Sequence, residues 1–130
     1  MTRPAISAAI FTAMFTLLSL ATNAQETKPM YRIAKLKVDT THLENYRAAL
    51  REQMNAAIKS EPGVLSYTAV ADKKDPGLII IFEVYASPEA YQSHIQAPHF
   101  RKYKETVKDW VLSLELIDTE LVAKAKKDGF

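Results

Sequence analysis

GVLSYTAVADKKDPGLIIIFEVYA, residues 63–86, decides the fold. Gly63 to Asp72 is short, β-prone and bounded by turn formers, KKDPG makes a turn, and Leu78 to Ala86 is the most strand-like run in the chain. The spacing predicts two strands joined by a tight connection. The second is apolar at almost every position, a pattern that predicts cover on both of its faces.

Upstream, MYRIAKLKV, Met30 to Val38, predicts another strand. Thr41-His42-Leu43-Glu44 then has the Thr-x-x-Glu form of a capping box, in which hydroxyl and carboxylate satisfy free amides at a helix start. Leu43, Tyr46, Leu50, Met54, Ala57 and Ile58 follow at helical spacing, and Pro62-Gly63 stops the helix. Downstream, Ser87-Pro88-Glu89 offers a capping serine, a first-turn proline and an acid near the positive end of the dipole. That helix runs through Tyr91, His94 and Ile95 and breaks at Pro98, which lacks an amide hydrogen and disfavours helical geometry before it. A third helix carries Phe100, Tyr103, Val107, Trp110 and Val111, and LSLELIDTELV, Leu112 to Val122, reads as a last strand. The order β-α-β-β-α-β, with a broken second helix, predicts an α+β fold: a ferredoxin-like, antiparallel four-stranded sheet with helices on one face. The other face needs a partner, and a second copy of the same sheet is the simplest one.

Arg3 precedes an uncharged run from Pro4 to Gln25 that ends in small residues, so residues 1–24 read as a secretory signal and residues 25–130 as the domain. An uncleaved anchor is the alternative, but interspersed threonines and serines dilute the apolar run. Export to the periplasm or beyond, without stable membrane association after cleavage, is the expectation. There is no cysteine, hence no disulfide framework. Cleavage would remove one of seventeen basic residues and leave sixteen against fifteen acidic ones, which excludes the strongly basic footprint of a nucleic-acid binder. The KAKK run at Lys124 to Lys127 reads as a solvated end.

Residues 61–110, EPGVLSYTAVADKKDPGLIIIFEVYASPEAYQSHIQAPHFRKYKETVKDW, resemble the signature region of the antibiotic biosynthesis monooxygenase family. The resemblance rests on Glu61-Pro62-Gly63, Tyr67, Glu83-x-Tyr85, His94 and the Pro98-His99-Phe100 junction, extends over nearly all of residues 25–130, and is closest to quinol monooxygenase-like members. It implies a homodimeric α/β-barrel with a pocket between sheet and helices. Because the family includes cofactor-free oxygenases of phenols and quinols, haem-degrading enzymes and isomerases, fold alone does not settle the chemistry. The haem-degrading pattern places a tryptophan where this chain has His94 and a histidine where it has Lys104, and an ammonium is a poor iron ligand.

With three glycines there is no phosphate-cradling loop, and His94 and His99, five residues apart across a proline, lack an evident third metal ligand. No cofactor and no metal are expected. An electron-rich phenol can itself reduce dioxygen once deprotonated, which requires a base near neutrality and an aromatic-lined pocket. His94, on the face of Tyr91 and Ile95, is the first candidate base, with His99 as the second catalytic candidate. Tyr67, Tyr85, Phe100 and Tyr103 are the candidates for substrate contact. Each has a plainer reading: His94 as a satisfied core residue, His99 as a joint-fixing residue, the aromatics as packing. Glu83 in an apolar strand calls for an ion pair or hydrogen bond, Trp110 for core or dimer contact, and His42 for exposure. The expected partners are a second copy of the chain, a small aromatic substrate and dioxygen, with no nucleic acid. A binding module without turnover and an isomerase of a small oxygenated metabolite are the rival functions.

Overall fold

Met30–Val38 (β1) turns Ala34, Leu36 and Val38 to one side, where all three are buried, while Ile33, Lys35 and Lys37 face the other way. A computed structural model describes Thr2 and residues 27–130; apart from Thr2, the expected signal at 1–24 lies outside the described residues. After β1 the chain makes a short 3-10 turn, Thr40–His42, and then an α-helix, Leu43–Ser60 (α1). The expected capping box does not form. Asp39 is the cap instead: its carboxylate accepts from the Thr41 amide at 2.9 Å and from the Thr41 hydroxyl at 2.8 Å. That commits Thr41 to the 3-10 turn and leaves Glu44 to pair with Arg47.

The hairpin is Val64–Ala71 (β2) and Leu78–Tyr85 (β3), paired antiparallel with a bulge at Leu65. Pro88–His94 (α2) starts as expected, with the Ser87 hydroxyl accepting from the Ala90 amide. The third helix, Pro98–Val107 (α3), starts at the proline and ends a turn earlier than expected. Val111 already belongs to the last strand, Val111–Thr119 (β4), which stops short of the expected Val122. The sheet order is β2-β3-β1-β4, antiparallel throughout, so the α+β ferredoxin-like arrangement holds. Among the described residues, no helix is long and apolar enough to cross a membrane.

The main core joins Ala34, Leu36, Val38, Ile79 and Ile81 of the sheet to Tyr46 and Leu50 of α1 and Tyr103 and Val107 of α3. The Tyr46 and Tyr103 hydroxyls share a buried hydrogen bond of 2.8 Å, and burial pushes the Tyr46 phenol up to about 12. Ile58 departs from the expected stripe and is half exposed; the buried positions of α1 are Tyr46, Leu50, Gln53 and Ala57. His42 is not a free surface residue: its ring stacks on Trp110 at 5.3 Å, and Trp110 packs against the core.

A close approach fixes α2 on the hairpin. A Cβ placed on Gly63 would lie 2.6 Å from the Ala90 Cβ, and the Gly63 carbonyl accepts the Ala86 amide at 2.8 Å. Gly63→Ala is therefore expected to cost about 1–3 kcal/mol by overpacking, read by denaturant unfolding, and Ala90→Gly in the same chain should return part of it.

Candidate active site

Between the helices and the inner face of the sheet lies a cavity of about 270 Å³. Its walls are largely apolar: Ala34, Leu36, Leu50, Ile81, Phe100, Leu114 and Leu116, with Tyr91 and Ile95 from α2 and its end. Register explains the two β4 leucines, since Leu114 pairs with Leu36 and Leu116 with Ala34, on the helix side of the sheet. Gln53, Tyr67, Glu83, Tyr85, Tyr103 and Lys104 supply the polar groups. The volume, just under the ~300–1,000 Å³ of drug-sized sites, suits a small ligand.

His94 is completely buried and stands one hydrogen bond behind that wall. Its Nε2 lies 2.7 Å from the Tyr67 hydroxyl and 3.1 Å from Gln53 Nε2, and its Nδ1 lies 2.8 Å from Glu61 Oε2. Side chains, not backbone, satisfy this imidazole. The Phe100 ring meets it edge-on at 4.7 Å. The Tyr67 hydroxyl is also 2.7 Å from the Tyr85 hydroxyl, which is 2.7 Å from Glu83 Oε2. A single row thus runs Glu83, Tyr85, Tyr67, His94, Glu61.

Proton counting assigns this row. Its four contacts need one proton each, whereas two phenols and one neutral imidazole supply three. A fourth proton must rest on Glu83, on His94 or on Glu61. Burial raises the Glu83 carboxyl, against the opposing pull of Tyr85 and Arg32, and burial lowers the His94 imidazole, against the opposing effect of Glu61. Between Glu83 and His94, both shifts favour Glu83. Tyr85 donates to the ionised Glu83 carboxylate; with the proton on Glu83 the row runs the other way, Glu83 donating to Tyr85, Tyr85 to Tyr67, Tyr67 to His94 Nε2, and His94 Nδ1–H to Glu61. Burial likewise raises the Tyr67 and Tyr85 phenols, so both stay protonated at neutral pH. In that second arrangement the imidazole Nε2 is an acceptor that faces the cavity through one phenol.

The depressed His94 value has a measurable consequence. An unfolded imidazole takes a proton near its ordinary value of 6.5, the buried one only at lower pH, so below 6.5 the unfolded chain binds more protons. Stability is expected to fall as pH drops from 6.5 toward the folded value. Thermal unfolding across pH 4.5–7.5 should show this slope in the wild type and a shallower one in His94→Gln.

His99 does not reach the cavity. It lines a smaller cleft of about 70 Å³ with Glu52, Lys102 and Thr106, and its Nε2 is 2.6 Å from the same Glu61 Oε2 that His94 contacts. Glu61, His94 and His99 offer three potential metal-binding atoms within 4.8 Å, so Glu61 is the third group the histidines lacked in sequence. Their N···O separations of 2.6 and 2.8 Å are those of N–H···O bonds, shorter than the roughly 3.3 Å between ligands on a tetrahedral ion 2.0–2.1 Å away. Phe100 and Tyr103 both line the cavity, but the Tyr103 hydroxyl is turned to Tyr46.

Two residues of this site have no role in the sequence reading: Gln53, which it does not single out, and Glu61, which it names only within the Glu61-Pro62-Gly63 motif. Gln53 sits three residues after Leu50 and four before Ala57, in the middle of the buried stripe of α1. A lone amide at such a position is the signal that could have found it. Glu61 follows the last helical residue, and only the tertiary fold brings it under both imidazoles.

A largely apolar cavity with a few polar groups, backed by a histidine held between a phenol and a carboxylate, is the candidate small-molecule site on a ferredoxin-like sheet. The model of the antibiotic biosynthesis monooxygenase family matches residues 29–106, and the chain belongs to that family. A crystal structure of a protein from Bacteriodes thetaiotaomicron VPI-5482, whose assignment as an antibiotic biosynthesis monooxygenase is itself provisional, is 43% identical, with a TM-score of 0.73 over 77% of this chain and 95% of that one. A similarly provisional monooxygenase from Lactobacillus acidophilus NCFM is 29% identical, with a TM-score of 0.68 over 72% of this chain and 44% of that one. An uncharacterised protein of Synechocystis sp. is 29% identical over 108 residues, 80% of this chain and 72% of its own length. Family membership points to a monooxygenase-like, small-molecule function.

Proposed function

We propose that the chain is an exported, homodimeric monooxygenase that oxidises a small phenol or hydroquinone with dioxygen, the electrons coming from the substrate itself. The observation that carries this reading is Tyr67, which lines the cavity and whose hydroxyl lies 2.7 Å from the buried His94 Nε2. A phenolic hydroxyl set against Tyr67 loses its proton to that phenol as the Tyr67 proton passes to His94. The base therefore acts through Tyr67 rather than on the substrate directly. Imidazolium is stabilised by Glu61, and the phenolate, desolvated among leucines and aromatics, transfers electrons to dioxygen. A new carbon–oxygen bond forms, the ring becomes a quinone, and the proton held on His94 returns to the departing oxygen. Phenol and dioxygen thus give quinone and water, with atoms and electrons balanced.

His99 has a supporting part in this reading. By donating to Glu61 Oε2 it fixes the carboxylate that orients His94. Dimerisation is supported by the outer face of the sheet, where Ile33, Ile80, Phe82 and Val84 are free of any helix and Phe82 is 42% exposed. Export rests on the apolar run at residues 4–25 and is checked by N-terminal sequencing of secreted protein.

The activity is tested with an oxygen electrode and a panel of hydroquinones and naphthols: one dioxygen consumed per quinone formed is the expected result. Full burial of His94, with both ring nitrogens bonded, favours one rival, a carrier that sequesters small hydrophobic molecules. Tight calorimetric binding with no oxygen uptake across the panel would select the carrier.

A further inference from the structure

The amide of Gln53 is 4% exposed, its Nε2 is turned toward His94, and its Oε1 is a buried acceptor with no partner among the described residues. Such an atom costs stability by itself and is retained where something else completes it. Gln53 lines the cavity, as do Tyr67 and Tyr85. The leucines and Phe100 of the wall have nothing to give a polar ligand atom, the Lys104 ammonium can only donate, and the Tyr103 hydroxyl is turned to Tyr46. Every hydroxyl near Gln53 is already committed to the row from Glu83 to His94.

We infer that Gln53 is the specificity-determining residue of this cavity, its Oε1 accepting a hydrogen bond from a second ring hydroxyl, adjacent to the one set against Tyr67, on a small fused or single aromatic ring. The inference rests on the phenol-oxidising reading and deepens it: the ligand class is one with a hydroxyl donor at the ring's inner edge. Ring methyls and ethers of the same size would leave Oε1 buried and empty. A site built around a hydrogen bond rejects an isostere lacking it far more strongly than an apolar pocket distinguishes one methylene. Gln53 also places its N–H near His94 Nε2, so it joins the ligand hydroxyl to the base. The titratable groups that bear on this spot are Glu83 and Lys104 in the cavity wall and Glu61 beyond His94.

Calorimetry under nitrogen with naphthalene-1,2-diol and 2-methyl-1-naphthol, which differ only in that second hydroxyl, tests the assignment without turnover. Wild type is expected to bind the diol at least about ten-fold more tightly. In Gln53→Leu and in Gln53→Met, which fill the same space, the preference should collapse to near unity while the methyl compound binds as well or better. A preference that survives both substitutions overturns the inference, as does a wild type that binds the two equally or binds neither. A Gln53-dependent preference in a protein that consumes no oxygen would sink the monooxygenase reading and leave the role of Gln53 standing.

Discussion

Oxygen uptake by His94→Gln with an electron-rich hydroquinone is expected to fall about 10²- to 10⁴-fold below wild type, the usual contribution of a positioned base. Glutamine keeps a hydrogen-bonding side chain between Glu61 and Tyr67 but cannot hold the proton. The loss should appear in kcat with KM little changed, because the cavity wall itself, from Leu36 to Leu116, is untouched. Tyr67→Phe should produce a loss of the same size, since it cuts the single hydroxyl that joins cavity and imidazole. Equal rates in wild type and His94→Gln would remove the base from the mechanism. A loss in His94→Gln with none in Tyr67→Phe would mean that substrate reaches the imidazole by another path.

Phe82→Asp carries the second large effect, on assembly. Phe82 lies at the centre of the helix-free face, paired in register with Ile33 on one side and Thr68 on the other. If two such faces pack together, an aspartate there buries an unpaired carboxylate, at a cost of several kcal/mol. Sedimentation at micromolar concentration should then show a dimer for wild type and a monomer for Phe82→Asp. A monomeric wild type, or a variant that stays dimeric, contradicts the sheet-to-sheet arrangement.

Much of the architecture was legible because local signals agreed with one another. Ser87-Pro88 starts a helix by capping and fixed φ, and the KKDPG turn forces β2 and β3 into a hairpin. The first strand was read to its ends because its apolar alternation matches the sheet period. Caps were less legible: Thr41 has a reachable competitor in Asp39, two residues upstream, and side-chain competition of that kind leaves no trace in a Thr-x-x-Glu spacing. The last strand was overextended because Leu121 and Val122 continue its apolar character past the pairing that ends at Thr119.

The site was half legible. His94, Tyr67, Tyr85, Phe100 and Tyr103 all surround the cavity or stand directly behind it, since their helical and strand faces follow from periodicity. His99 faces a different cleft because Pro98 starts a new helix whose direction no spacing specifies. Glu61, from the end of α1, reaches imidazoles 33 and 38 residues further along the chain, a contact made by the crossover of the fold and not by any motif.

The central claim is that a phenol in this cavity gives up its proton to the Tyr67–His94 pair before oxygen takes part. Ultraviolet difference spectroscopy of 1-naphthol bound under strict anaerobiosis at pH 7.5 reads that step directly. The account predicts a naphtholate spectrum in wild type, well below the pH at which naphthol ionises in water, and a neutral naphthol spectrum in His94→Gln. Naphthol bound in its neutral form by both proteins would contradict it.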